Sequence, residues 1–112
     1  MCIFCKIANK EIPSKVVLED EHVLAFHDVN PQAPTHVLVI PKRHIAGIAQ
    51  AAPEDEAVLG RLLLAARQVA EKTGIAEGGF RTVVNSGANA GQTVFHLHVH
   101  VLGGRPMAWP PG

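Results

Sequence analysis

Several things are scarce in this chain of 112 residues, and each scarcity removes a class of function. Net charge is zero, with ten Lys and Arg against ten Asp and Glu. A protein that coats a polyanion needs a basic stripe, so this balance argues against nucleic-acid binding. No apolar run approaches the length of a membrane span, which argues against a membrane partner. The opening Met1-Cys2-Ile3-Phe4-Cys5-Lys6 has no basic segment followed by an apolar stretch, unlike a signal peptide. The cytoplasm is then the expected compartment, and Cys2 and Cys5, the only cysteines, are expected reduced. There is no internal repeat, linker or low-complexity tract. The 47 % hydrophobic content is enough for one folded domain over residues 1–112, with 103–112 as a tail.

Histidine, by contrast, is plentiful. Three of the seven fall in Phe95-His96-Leu97-His98-Val99-His100-Val101-Leu102 at two-residue spacing. This alternation predicts a half-buried strand. Successive strand side chains point to opposite faces, so His96, His98 and His100 share one face, about 7 Å apart, with Leu97, Val99 and Val101 toward the core. A solvated strand face usually carries Lys, Glu and Thr, so three imidazoles in a row point to chemistry.

The rest of the chain frames that stretch. Val16 to Glu19 and Val23 to His27 read as paired strands, and His36 to Ile40 as a third, central one stopped by Pro41. Between them, Asn30-Pro31-Gln32-Ala33-Pro34 breaks the chain. Pro53 to about Lys72 reads as the long helix. Acidic residues stand in its first turn, and Leu59, Leu62, Leu63, Ala66, Val69 and Ala70 form an apolar stripe for core or subunit contact. Phe80 to Asn85 reads as a fourth strand. The turn-rich Asn85 to Thr93 follows, whose glycines would let backbone N–H groups approach a phosphate. With a short N-terminal helix, the sum is an α+β domain with an antiparallel sheet of about five strands. Trp109, in the tail, is expected to lie on a surface, of this chain or of a partner.

Cys2 and Cys5 form a Cys-x-x-Cys pair. A redox role would need a strand before it; a tetrahedral zinc site would need two further ligands, for which His44 and one clustered histidine are available. For the histidine row three chemistries stay open. An imidazole can attack phosphorus and form a covalent intermediate. The cluster can hold a catalytic metal that activates water, with Asp28 as the nearby carboxylate. Or the site can bind a nucleotide without turnover, as a sensor.

His96-Leu97-His98-Val99-His100-Val101-Leu102 resembles the His-φ-His-φ-His-φ-φ motif of the histidine triad (HIT) superfamily, φ being apolar. The resemblance extends over essentially the whole chain and is closest to the Hint branch of nucleoside phosphoramidases. It includes Phe26-His27-Asp28, Pro31 to His36, Val39-Ile40-Pro41-Lys42, Val84-Asn85, Gly91-Gln92, Leu102 to Arg105 and Trp109 to Gly112. It implies a homodimer that hydrolyses the P–N bond of purine nucleoside 5′-phosphoramidates. His98 would be the nucleophile, its Nδ1 proton accepted by a backbone carbonyl. His100 would contact phosphate oxygens, His36 would support a relay behind them, and Asp28 would take the ribose hydroxyls. Phe4, Ile7, Ile12, Phe26, His27, Val29 and Leu38 would line the base pocket, and Asn85, Gly91, Gln92, Thr93 and Val94 would frame the phosphate. Zinc-containing branches imply Cys2, Cys5, His44 and His96 as ligands of a structural zinc, with no metal required for the chemistry. Two departures stand out: Thr93 replaces the Ser of eukaryotic relatives, and Ala108 replaces a polar residue before Trp109.

Overall fold

The structure, a computed structural model, describes residues 2–112. A short helix α1 (Ile3–Ala8) precedes strands β1 (Val16–Glu19), β2 (Val23–His27) and β3 (Thr35–Pro41). The long helix α2 (Glu56–Lys72), β4 (Phe80–Val83) and β5 (Val99–Gly103) complete the chain. One antiparallel sheet runs in the order β1-β2-β3-β5-β4, so β3 is central, as its nearly unbroken apolar sequence requires. The α+β class, the five-stranded antiparallel sheet and the two helices agree with expectation. Among the described residues no helix is long and apolar enough to cross a membrane.

The two faces of the sheet bury different things. Val23, Ala25, Val37, Val39, Leu97, Val99 and Val101 face α2 and meet Leu62, Ala66, Val69 and Ala70. The alternate residues Leu24, Phe26, Leu38 and Ile40 face α1 and pack with Phe4 and Ile7. Burying a Leu or Val side chain is worth about 1.5–3 kcal/mol, so the α2 layer supplies much of the driving force. The α1 layer is thinner, and beyond it lies the histidine face. Glu19 ties that end together, accepting Lys10 Nζ and Lys42 Nζ each at 2.7 Å.

Several boundaries differ from the sequence reading. The strand expected from His96 begins only at Val99, because Leu97 N–H donates to Ile45 O at 2.6 Å in the segment after β3 and the ladder with β3 starts at Val99. Leu97 nonetheless stays in the α2-side core, and the three histidines stay on the opposite side. Pro41 is the last residue of β3 rather than its stop. Residues Pro53–Asp55 form a 3-10 turn before α2, in which the Asp55 carboxylate accepts Ala52 N–H at 2.8 Å and pairs with Arg43. The Arg43 bond holds the Asp55 carboxyl below the ordinary carboxylate range. β4 ends at Val83, two residues early. Within the α2 stripe Leu63 is exposed, and Ala65 takes its place in the core. Trp109 is 81 % exposed, its ring centroid 5.9 Å from the Arg81 guanidinium carbon.

Candidate active site and candidate metal centre

Five of the seven histidines gather in two neighbouring clusters at β5 and the segment before it. In the first, Cys2, Cys5, His44 and His96 converge, with one possible ligand atom from each and all four within 4.8 Å of one another. Cys2 is the N-cap of α1, where its Sγ accepts Cys5 N–H at 3.2 Å. His96 Nδ1 lies 3.3 Å from Cys2 Sγ, 3.5 Å from Cys5 Sγ and 3.2 Å from His44 Nδ1. Cys5 Sγ lies 3.2 Å from His44 Nδ1. Only one hydrogen can point at the His96 Nδ1 lone pair, so hydrogen bonding alone does not account for three such neighbours. A tetrahedral zinc, at about 2.0–2.1 Å from nitrogen and about 2.3 Å from sulfur, gives ligand–ligand edges of about 3.3–3.8 Å. The observed distances and the Cys₂His₂ donor set both fit that ion. His96 is prepared for the role: its Nε2–H donates to Pro41 O at 2.8 Å, which leaves the lone pair on Nδ1. Burial lowers its pKa and favours the neutral ring.

The second cluster contains His36, His98 and His100, and here each ring has its tautomer assigned by a different partner. His98 Nδ1–H donates to the backbone carbonyl of His96 at 2.7 Å, so its Nε2 carries the lone pair. Gln32 N–H donates to His36 Nδ1 at 3.0 Å, which puts the His36 proton on Nε2. That proton faces His100 Nδ1 at 2.9 Å, and Asp28 Oδ2 lies 3.4 Å from His36 Nε2 itself. His100 must then carry its own proton on Nε2. Ring centroids of His98 and His100 are 5.0 Å apart, closer than the strand rise alone would set, because His98 precedes the ladder. Burial, reinforced by the neighbouring His98 and His36, pushes the His100 pKa down to about 4, and burial lowers that of His36 against the pull of Asp28.

These rings open onto a cleft of about 380 Å³. Phe4, Ile7, Ile12, Phe26, His27, Asp28, Val29, Leu38, Thr93 and Val94, all expected at the site, line it together with His98 and His100. Phe4 makes an edge contact with His98 at 5.1 Å and with Phe26 at 5.5 Å, forming an apolar end wall. His36 lies behind His100, and the His96 ring belongs to the Cys2/Cys5/His44 cluster rather than the cleft.

Three expected residues are not on the cleft wall. Asn85 and Gly91 are absent from its lining, and Gln92 is buried in the loop itself. The Gln92 amide donates to Ala46 O at 2.8 Å and Val94 O at 3.1 Å, while its carbonyl accepts Gly87 N–H at 2.8 Å. The Gln92 side chain therefore holds the loop in shape. Conversely Ile3, Pro13 and Ser14 line the cleft and were missed. The one available signal was their position around the short first helix, alongside Phe4, Ile7 and Ile12.

Comparison with known proteins agrees with this geometry. The HIT domain model matches residues 9–107. The chain is 59 % identical over 110 residues to an uncharacterized HIT-like protein of Synechocystis, covering 98 % of this chain and 96 % of that one. It is 55 % identical over 112 residues to a 14 kDa zinc-binding protein of Zea mays, covering 98 % and 87 %. Among solved structures, a HIT family hydrolase from Legionella pneumophila superposes with a TM-score of 0.98 at 51 % identity, covering 100 % of both chains. A histidine triad nucleotide-binding protein from Candida albicans does so with 0.84 at 31 % identity, covering 98 % and 83 %. Sequence motif, fold and site thus converge: the chain belongs to the histidine triad, or HIT domain, family and resembles its hydrolases in structure.

Proposed function

We propose that this protein is a purine nucleoside phosphoramidase of the Hint type, one HIT domain over residues 1–112, that cleaves the P–N bond of nucleoside 5′-phosphoramidates. The observation that carries the proposal is the 2.7 Å bond from His98 Nδ1–H to His96 O. It leaves Nε2 of a cleft-lining ring as a neutral lone pair, which is what nucleophilic attack on phosphorus needs near neutral pH.

The steps follow from the tautomers. The base lies against Phe4, Phe26, Ile7 and Leu38, and the ribose hydroxyls donate to Asp28, whose Oδ1 already accepts Asn30 N–H at 2.8 Å and retains further acceptor capacity. His98 Nε2 attacks the α-phosphorus, the P–N bond breaks, and the leaving nitrogen takes a proton from solvent and departs as the amine. His100 Nε2–H donates to a phosphoryl oxygen as negative charge builds there. Water then displaces His98 and releases the nucleoside monophosphate. His36 holds His100 in the donating tautomer throughout.

Cys2, Cys5, His44 and His96 would hold a zinc ion. When bound, that ion supplies a rigid closed tie between α1 and the histidine segment, with no open position for substrate. The Zea mays relative named as zinc-binding supports this assignment, and the Candida albicans nucleotide-binding relative supports the ligand class. A purely metal-dependent hydrolase would draw on Asp28, His36 and His100, which also converge. The His36 Nδ1 lone pair is already spent on Gln32 N–H and the His100 Nδ1 lone pair on His36 Nε2–H, which leaves Asp28 alone to face an ion and favours the covalent route. The protein is read as a cytoplasmic homodimer.

The test is turnover of adenosine 5′-phosphoramidate with amine release, in the presence and absence of a chelator. Turnover that survives chelation in the folded protein supports the proposal. AMP binding without any amine release would leave a sensor instead, and immediate chelator inhibition of still-folded protein would leave a metal hydrolase.

A further inference from the structure

The hydrogen-bond chain behind the cleft does not stop at His36. Gln32, whose N–H sets the His36 tautomer, is gripped on the other side of its Cα as well. Its carbonyl accepts two bonds from one guanidinium, Arg105 Nη2 at 3.0 Å and Arg105 Nε at 3.3 Å. Arg105 lies in the tail just beyond β5, 73 residues away in sequence. Beside it, Gly104 at φ +91° sits so close to Pro34 that a Cβ there would lie 2.9 Å from Pro34 Cβ. The start of the tail is thereby seated on the loop between β2 and β3. That loop has no ladder partner and holds itself with side chains. Gln32 Nε2 donates to Asn30 O at 3.1 Å, and Asn30 N–H donates to Asp28.

We propose that Arg105 is a positioning residue for the reaction, holding Gln32 so that its N–H stays on His36 and thereby fixing which nitrogen of His36 and of His100 carries the proton. The kinetic consequence rests on the phosphoramidase proposal; the tautomer consequence does not. A neutral imidazole has two tautomers, and the partner of one nitrogen selects between them. With Gln32 N–H aimed at His36 Nδ1, the Nδ1–H form would set donor against donor. If the loop drifts, that penalty disappears. His36 and His100 can then both shift their protons to Nδ1, and His100 turns a lone pair toward the phosphoryl oxygen instead of a proton. Arg105 and Gln32 are both exposed, so the bonds between them add little to global stability. Their effect falls on the loop and the two rings.

The experiment combines NMR of the ring nitrogens in ¹⁵N-histidine-labelled, zinc-supplied protein with steady-state kinetics on adenosine 5′-phosphoramidate. Wild type is expected to show protonated Nε2 and bare Nδ1 at both His36 and His100. Arg105→Ala should move both rings toward mixed tautomers and lower kcat about tenfold, with KM changed less than about twofold. Arg105→Lys, which offers the carbonyl a single donor site, should fall between. Wild-type tautomers in Arg105→Ala would overturn the proposal, and a fall in kcat beside them would mark Arg105 as merely structural. Should Arg105→Ala fail to fold, Arg105→Lys and Arg105→Gln carry the same comparison. If wild type turns over no phosphoramidate, the functional proposal fails while the ring-nitrogen signals still decide this one.

Discussion

Two histidine clusters lie side by side in this molecule, both fed by the same short segment, and they are built for opposite ends. In the Cys2/Cys5/His44/His96 cluster one nitrogen or sulfur from each side chain comes within 4.8 Å of the other three. In the His36/His98/His100 cluster two rings are joined in a donor–acceptor chain and the third is turned away by a carbonyl. A single residue, His96, serves both: its ring joins Cys2, Cys5 and His44 while its backbone oxygen orients the His98 ring. The difference teaches that a count of histidines does not identify a site. Where the N–H of each ring is spent does.

The largest expected effect breaks the second cluster alone. His98→Ala should reduce turnover of adenosine 5′-phosphoramidate by about 10³-fold or more, because the covalent route loses its nucleophile. The variant should keep its thermal midpoint within a few degrees and still bind AMP by calorimetry. Equal loss of activity and fold would erase the distinction between the clusters.

The next effect breaks the first cluster. Cys5→Ala, or a strong chelator, should remove about one zinc per chain by elemental analysis and lower unfolding stability. A metal present a thousandfold above its Kd contributes about 4 kcal/mol, readable as a lower urea midpoint. Activity should fall with the folded fraction rather than ahead of it.

A third prediction uses acid. In the unfolded chain His36 and His100 titrate near about pH 6.5. In the folded protein burial holds both lower, His100 at about 4 with His98 and His36 beside it and Asp28 pulling the other way. Between those values the unfolded state binds the extra protons, so the stability these rings allow is complete above about pH 6.5 and is lost as pH falls toward about 4. Urea midpoints across this range should decline, and His100→Gln should flatten the decline. The smallest effect is at the ribose end: Asp28→Asn should raise KM about tenfold and change kcat less, since it removes charge from an acceptor rather than from the reacting atoms.

Much of this was legible in the chain, for physical reasons. Alternation in Leu97, Val99 and Val101 placed the core face correctly because side-chain direction follows backbone period even where the ladder is missing. The start of β5 was not legible, since the Leu97 N–H goes to Ile45, more than fifty residues away. The Cys-x-x-Cys pair opened the possibility of a metal site with His44 and one clustered histidine, and family resemblance singled out His96 as that histidine. The inward fold of the Gln92 side chain was not legible, because a polar residue in a glycine-rich loop looks the same in sequence whether it faces outward or folds back onto Ala46 and Val94. Arg105 on Gln32 carried no sequence signal at all: a tail arginine and a loop carbonyl are joined only by the fold.

The most direct measurement quenches the wild-type protein at alkaline pH during turnover of adenosine 5′-phosphoramidate and maps any covalent adduct by mass spectrometry. One nucleotidyl group on His98, chemically competent to form and decay at the turnover rate, is the predicted result. An adduct on another residue, or rapid amine release with no adduct at any time point, would contradict it.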